Sequence, residues 1–152
     1  MNIATLHRRH WLRAAGSALA LAWHPVQADE AADALRAAVR TWAGGQLVGE
    51  GRITLDIAPL VENGNAVPVS VRVDSPMTPA NHVRELVLLN ERNPQRDVLR
   101  VAFTPLSARA QVDTRIRLAT TQQLVALARL SDGSLWSRHV QVMVTLAACV
   151  EG

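Results

Sequence analysis

The sequence predicts an all-β fold, an antiparallel β-sandwich of about seven strands preceded by one N-terminal helix. After residue 45, apolar residues alternate with polar ones in most segments, which is the period of β-strands. Clusters of turn-forming residues separate these segments at short intervals. A stretch before residue 45 has helical spacing instead. With 152 residues, the chain is long enough for one domain with a sizeable core.

The first 28 residues have the pattern of an export signal. A basic stretch with Arg8 and Arg9 precedes an apolar run at residues 14–23, and the small residue Ala28 ends the segment. The apolar run, about ten residues long, is too short to span a bilayer. The arginine pair is typical of a twin-arginine signal, with a general secretion signal and an amphipathic helix of the mature fold as alternatives. We therefore predict a periplasmic protein.

Residues 29–44 are the predicted helix. Ala31, Leu35 and Trp42 recur at helical spacing, so they define one apolar face. The glycine pair at Gly44 and Gly45 then ends the periodic segment, as glycine does at helix C-termini.

Residues 45–146 contain the predicted strands. Five segments alternate apolar and polar residues, and two are apolar enough to be buried on both faces. In chain order, the seven segments are 53–57, 67–73, 82–91, 99–103, 112–118, 123–130 and 140–146. Asp132-Gly133 between two apolar segments predicts a hairpin, and Pro68 indicates an edge strand or a strand start. The expected architecture is immunoglobulin-like, without that fold's cysteine pair or tyrosine corner.

Charge and motif content exclude several classes of function. All 16 basic residues are arginines, and from residue 29 onward 13 arginines balance 13 acidic residues, so a nucleic-acid-binding face is not expected. The segment after residue 28 has only two histidines, His82 and His139, with no cysteine or carboxylate at metal-ligand spacing. Phosphate-binding glycine loops and hydrolase motifs are also missing from the sequence. We therefore expect a binding or carrier module, with no cofactor or metal and no membrane partner.

Cys149 is the only cysteine of the chain and follows the last predicted strand. In an exported protein, an odd cysteine indicates intermolecular pairing or a working thiol, while an incidental residue or a small core hydrophobe remain alternatives. Glu151 and the terminal carboxylate disfavour the thiolate, so Cys149 should be a weak nucleophile. We interpret residues 147–152 as a carrier arm that extends roughly 20 Å and presents Cys149 to another protein's active site.

Four stretches of the sequence resemble one known family. They read "VENGNAVPVSVRVDSPMT", "NPQRDVLRVAFTP", "VDTRIRLATTQQLVALARLSDGSLW" and "VMVTLAACVEG". In this order they are similar to the Y subunit of the bacterial thiosulfate-oxidising (Sox) system, and the resemblance covers nearly all of residues 45–152.

The resemblance implies a periplasmic, immunoglobulin-like carrier that forms a heterodimer with a Z subunit. It implies that sulfur species are attached covalently to Cys149, and that the carrier itself is not an enzyme. The implied partners are a haem protein that attaches thiosulfate, a dimanganese hydrolase that removes sulfate and, in some organisms, a molybdenum dehydrogenase.

The arm departs from the family pattern. The family arm typically reads Gly-Gly-Cys-Gly-Gly, whereas this chain has Ala147-Ala148-Cys149-Val150-Glu151. Alternative hypotheses are therefore a related carrier-like subunit of another pathway, and a periplasmic β-sandwich adaptor in which Cys149 is dispensable. A disulfide-linked homodimer through Cys149 is a further alternative.

Overall fold

The computed structural model describes residues 26–146, with side chains described from Glu30 onward. One helix, α1 (Val26–Ala43), precedes the strands of this part of the chain. The strands are β1 (Val48–Glu50), β2 (Ile53–Asp56), β3 (Leu60–Asn63), β4 (Val67–Val73), β5 (Val83–Asn90), β6 (Asp97–Ala102), β7 (Ala110–Ile116), β8 (Gln122–Leu130) and β9 (Leu135–Leu146).

The strands form two sheets. The larger sheet has the order β1-β9-β8-β5-β6, and β3 also pairs with β9; the smaller sheet has the order β2-β4-β7. Inward-facing valines of β4 alternate with exposed or half-buried residues along the strand. They pack against the inner faces of β5 and β8 to form the main core between the sheets. The predicted β-sandwich is therefore confirmed.

A second, smaller apolar cluster explains why β5 and β8 are continuous apolar runs. Leu35 of α1 packs on the outer face of the larger sheet, where it meets Val87, Leu89, Val125 and Leu127. Because the main core covers the other face, both strands are buried on two sides, as their composition predicts.

Polar contacts of Trp42 fix the C-terminal end of α1 on the sheet. The Trp42 indole Nε1 donates a hydrogen bond to Glu85 Oε2 at 3.0 Å, and Arg129 Nη2 donates to the Trp42 carbonyl oxygen at 3.0 Å. The Arg129 guanidinium also lies 5.0 Å from the centre of the Trp42 ring. The helix ends as predicted, because Gly44 adopts a φ of 62° and donates to the Arg40 carbonyl at 3.1 Å.

Two short strands, β1 and β3, are additions to the seven predicted ones. Both pair in parallel with β9, so the larger sheet is mixed rather than purely antiparallel. Each has only three or four residues, and Val61 is the single buried residue of β3, so no alternation marks these strands in the sequence. The chain first runs parallel to β9 as β1 and then crosses to the smaller sheet as β2. It returns to the larger sheet as β3, which again runs parallel to β9.

Pro68 and the Asp132-Gly133 turn occupy the predicted contexts. Pro68 is the second residue of β4. The pairing of β2 with β4 ends at Ser70, so β4 has no β2 partner at Pro68 and is an edge strand on that side. Asp132 and Gly133 connect β8 to β9, with Gly133 at a φ of 86°. The helix prediction differs at its start, since α1 begins at Val26 rather than at residue 29.

Candidate functional site

The candidate site is the point where the predicted arm leaves the β-sandwich. Cys149 and the rest of residues 147–152 lie outside the described residues, as does the predicted export signal up to residue 25. The last described residue, Leu146, ends β9 three positions before Cys149. We call the end of β9, residues 143–146, the arm root.

On one side, β3 holds the arm root through main-chain hydrogen bonds. The Met143 amide donates to the Pro59 carbonyl at 2.8 Å, and the Gly64 amide donates to the Leu146 carbonyl at 3.0 Å. The Thr145 hydroxyl adds a 3.2 Å hydrogen bond to the Glu62 carbonyl. The main chain is therefore paired up to the residue that precedes the arm.

On its other side, the arm root is held by a side chain instead of a strand. The pairing of β8 with β9 ends at Gln122 and Val142. Beyond it, the Thr121 hydroxyl accepts a hydrogen bond from the Val144 amide at 2.9 Å and donates to the Val144 carbonyl at 3.4 Å. One hydroxyl thus satisfies both main-chain groups of Val144 where β8 has ended.

A polar network, half-buried at Asn93 and fully buried at Gln122, lies beside the arm root and connects the neighbouring loops. Asn93 Oδ1 accepts hydrogen bonds from the Ala119 amide at 3.0 Å and from Gln122 Nε2 at 2.7 Å. Asn93 Nδ2 donates to the Arg117 carbonyl at 2.8 Å. Gln122 is fully buried, and its Oε1 accepts from the Arg92 amide at 2.9 Å. Within the described residues, every buried side-chain nitrogen and oxygen has a partner, so this network is fully satisfied.

Two main-chain hydrogen bonds through Gly64 connect the network to the arm root. The Leu118 amide, next to Arg117, donates to the Gly64 carbonyl at 2.8 Å, and Gly64 in turn donates to Leu146. Three loops of the arm-bearing end therefore position the arm root. The sequence does not reveal that these loops are joined, because the network connects residues up to 30 positions apart, and isolated Asn and Gln residues have no periodic signal.

Apolar side chains are exposed at the arm root. Of the described large apolar residues that are exposed, three lie here: Leu60 at 52%, Met143 at 54% and Leu146 at 63%. Leu60 and Met143 are register partners in β3 and β9, so their side chains share one face of the sheet. We call these two side chains the root patch.

The described residues contain no arrangement that would serve as a catalytic centre at the arm root. Over residues 30–146, no group of three or more His, Asp or Glu side chains could hold a metal ion. His82 lies in the loop before β5, where its Nδ1 is 3.1 Å from the Thr78 carbonyl oxygen, and His139 is exposed on β9. The two histidines thus lie on different elements of the fold.

The carboxyl groups with lowered pKa values lie elsewhere in the fold. Hydrogen bonds from Ser70 and Gln111 lower the pKa of Asp113 on the smaller sheet. Hydrogen bonds from the Ser134 hydroxyl and amide lower the pKa of Asp132 in the β8–β9 turn. Both groups are fully solvent-exposed, and both shifts favour the ionised form, which suits surface turns and strands rather than acid–base chemistry.

A broad, open groove of about 730 Å³ lies on the smaller sheet, where β2 diverges from β4. Asp56, Pro68, Ser70, Asp113 and Arg115 are among its lining residues. The groove is mixed in charge. In the described part of the chain, no helix is both long and apolar enough to cross a membrane.

Comparison with known proteins identifies the family. The model of the family "sulfur oxidation protein SoxY" matches residues 39–149, so the match ends at Cys149. Among solved structures, the sulfur carrier protein SoxY from Chlorobium limicola f. thiosulfatophilum is 25% identical with a TM-score of 0.62, and the alignment covers 76% of this chain and 99% of that one. A search of curated proteins found no match.

More distant structures share the fold only. The superoxide reductase (neelaredoxin) from Ignicoccus hospitalis is 24% identical with a TM-score of 0.54, over 62% of this chain and 80% of that one. A putative superoxide reductase from Thermotoga maritima is 18% identical with a TM-score of 0.53, over 64% and 87% of the two chains. The family match spans most of the sandwich and reaches the single cysteine, and the chain therefore belongs to the family of the sulfur oxidation protein SoxY.

Proposed function

We propose that this protein is a periplasmic covalent sulfur carrier that holds sulfur intermediates on Cys149 for partner enzymes. The observation that carries this proposal is that the SoxY family match extends to residue 149, the position of the only cysteine. The arm root supports the proposal as well, because it gives a segment with one thiol a well-ordered attachment to the domain.

The proposed chemistry needs a thiol but no catalytic group in the carrier. Thiosulfate and the Cys149 thiol would form a Cys–S–S–SO₃⁻ adduct, releasing one proton and two electrons, which a haem-containing partner accepts. Addition of water would then release hydrogen sulfate and leave a persulfide on Cys149, with no change in redox state. Glu151 disfavours the thiolate, so activation of the thiol is assigned to the partners, and the carrier is not itself an enzyme.

The partners follow from the family. They are a Z-like carrier subunit that completes a heterodimer, a haem protein, a dimanganese hydrolase and, in some organisms, a molybdenum dehydrogenase. The export signal in residues 1–28, with Arg8 and Arg9, supports delivery to the periplasm by the twin-arginine route.

The decisive experiment is intact-protein mass spectrometry of the chain purified from its native periplasm with thiosulfate present. The expected result is a mass increase that reductant removes, consistent with added sulfur or thiosulfonate on Cys149. The matched control is Cys149→Ser, which should have no labile adduct and should not support thiosulfate-dependent respiration.

Two other outcomes would contradict the proposal. A bare thiol, together with unchanged respiration in Cys149→Ser cells, would favour an adaptor in which the cysteine is dispensable. A reductant-sensitive mass of twice the chain would instead indicate a disulfide-linked homodimer through Cys149.

A further inference from the structure

Strand β7 is a free edge of the smaller sheet. The order β2-β4-β7 places it last, and within residues 26–146 no strand pairs with its outer side. All seven of its residues are in register with β4, without a bulge. By contrast, β2 has only four residues, and the pairing of the edge strand β6 shifts register between Leu88 and Leu89 of β5. Thus β7 is the longest edge strand in the described part of the chain, and it lacks the bulge and the proline that usually prevent edge pairing.

The main-chain groups of Gln111, Asp113 and Arg115 point to this open side. Pro68 of β4 has no N–H group, so its register pair with Arg115 is a non-hydrogen-bonded pair. The two kinds of pair alternate along an antiparallel ladder, so the even-numbered residues of β7 form the hydrogen bonds to β4. The odd-numbered residues therefore direct their N–H and C=O groups outward, and among the described residues no main-chain hydrogen bond reaches them.

The same edge carries one charge of each sign. Asp113 and Arg115 are both exposed, and because they are two residues apart their side chains lie on the same face of the sheet. Hydrogen bonds from Ser70 and Gln111 lower the pKa of Asp113, so its carboxylate is ionised at neutral pH. The ion pairs found over residues 30–146 include neither Asp113 nor Arg115. A partner with the reverse order of charges would thus complement this edge.

We propose that β7 pairs in the antiparallel direction with β7 of a second copy of this chain, about a two-fold axis at Thr114. In this register, Asp113 of each copy lies directly opposite Arg115 of the partner subunit. The hydrogen-bonded pairs fall on these same two positions, so the outward main-chain groups find partners as well. The two smaller sheets then form one continuous sheet. The inference goes beyond the proposed carrier function and does not depend on it.

Charge selects this register over its neighbours. An axis at Asp113 would place two carboxylates directly opposite each other, and an axis at Arg115 would place two guanidinium groups opposite each other. Like charges in directly opposite positions destabilise a strand pair, whereas opposite charges stabilise it. A two-fold interface repeats each contact, so both pairs of Asp113 with Arg115 form together when the axis lies at Thr114.

The test is sedimentation equilibrium of the full chain, produced alone, with reductant present to exclude a disulfide through Cys149. The parent protein should show a concentration-dependent equilibrium between monomer and dimer. Asp113→Arg and Arg115→Asp each place like charges opposite each other. Each should therefore raise the dissociation constant of the dimer about tenfold or more.

Two restorations make the test specific to this register. The double variant Asp113→Arg/Arg115→Asp exchanges the two charges and should dimerise as the parent protein does. An equimolar mixture of the two single variants should form mixed dimers, because each supplies the charge that the other lacks. The matched control is Arg72→Asp, at an exposed arginine on the same face of the central strand β4, and it should leave the dissociation constant unchanged.

Three results would overturn the inference. They are a parent protein that stays monomeric at every concentration, a dimer that both single reversals leave as tight as in the parent, and failure of both the double variant and the mixture to restore dimers. The last two would assign the dimer to another surface. Since the measurement contains no thiosulfate and no partner enzyme, it can fail while sulfur adducts are still found on Cys149, and the reverse also holds.

Discussion

At the scale of single residues, Asn93 determines how the arm-bearing end is built. Its side chain accepts from Ala119 and Gln122 and donates to Arg117, so one amide connects two loops and the start of β8. A network of this kind stabilises only when all of its members are paired, and here they are. Removing Asn93 should therefore leave several groups unpaired at once.

We predict that Asn93→Ala lowers the free energy of unfolding by about 2–3 kcal/mol, because the buried Gln122 amide and the Ala119 amide lose their acceptor. Urea denaturation followed by circular dichroism measures the change. Asn65→Ala is the matched control: Asn65 is exposed, and the change should be within about 0.5 kcal/mol. If the free energy of unfolding falls as little in Asn93→Ala as in Asn65→Ala, the network contributes little to stability.

Residue-scale features differ in how far the sequence predicts them. Cys149 is conspicuous in the sequence because it is a single thiol in a chain with a predicted export signal. The roles of Thr121 and Gln122 cannot be seen in the sequence. Their side chains hydrogen-bond main-chain groups of other segments, but Thr and Gln are also common in ordinary loops.

At the scale of elements, α1 closes the outer face of the larger sheet. Leu35 of α1 is 2% exposed. It packs in the smaller apolar cluster, where its neighbours on the sheet are Val87, Leu89, Val125 and Leu127. Ala38, Val39 and Trp42 of the helix also pack on this cluster, so α1 as a whole shields the four apolar side chains of β5 and β8 from water. Docking of the helix should therefore be a major contribution to the stability of the domain.

We predict that Leu35→Ala destabilises the protein by about 2–5 kcal/mol, the range for truncating a buried leucine. The matched control is Leu47→Ala, at a leucine that is 95% exposed, which should change the stability by less than about 0.5 kcal/mol. Thermal or urea unfolding of both variants provides the comparison. A loss in Leu35→Ala as small as in the control would mean that the helix is dispensable for folding.

The β8–β9 turn makes a prediction about pH. Ser134 lowers the pKa of Asp132 below its ordinary value of 3.8, so ionised Asp132 stabilises the folded state. This stabilisation is fully present above pH 3.8 and is lost as the pH falls through the lowered folded-state pKa. Asp132→Asn should therefore be less stable than the parent protein at pH 7, and the gap should narrow as the pH falls below 3.8.

Melting temperatures of the two proteins across this pH range test the prediction. Leu47→Ala, which changes no titratable group, is the control, and its difference from the parent protein should be the same at every pH. A gap between Asp132→Asn and the parent that persists unchanged at low pH would indicate a contribution from packing rather than from charge.

At the scale of the whole molecule, the main architecture follows from periodicity. β4 alternates buried valines with Pro68, Ser70 and Arg72, while β5 and β8 are apolar throughout, and this difference predicts which sheet the helix covers. The parallel pairing of β1 and β3 with β9 has no such signal. It results from the path of the chain beside β9, and a three- or four-residue strand is too short to reveal it in sequence.

The pairing of β9 up to Leu146 has a consequence for the proposed carrier function. Cys149 is three residues beyond Leu146, the last described residue, so its Cα atom can lie at most about 10 Å from that residue. If Cys149 delivers sulfur to a partner's active site, a site deeper than the arm can span is reached only when the hydrogen bonds from the arm root to Pro59, Glu62 and Gly64 break. Such a partner would have to separate β9 from β3 at each delivery.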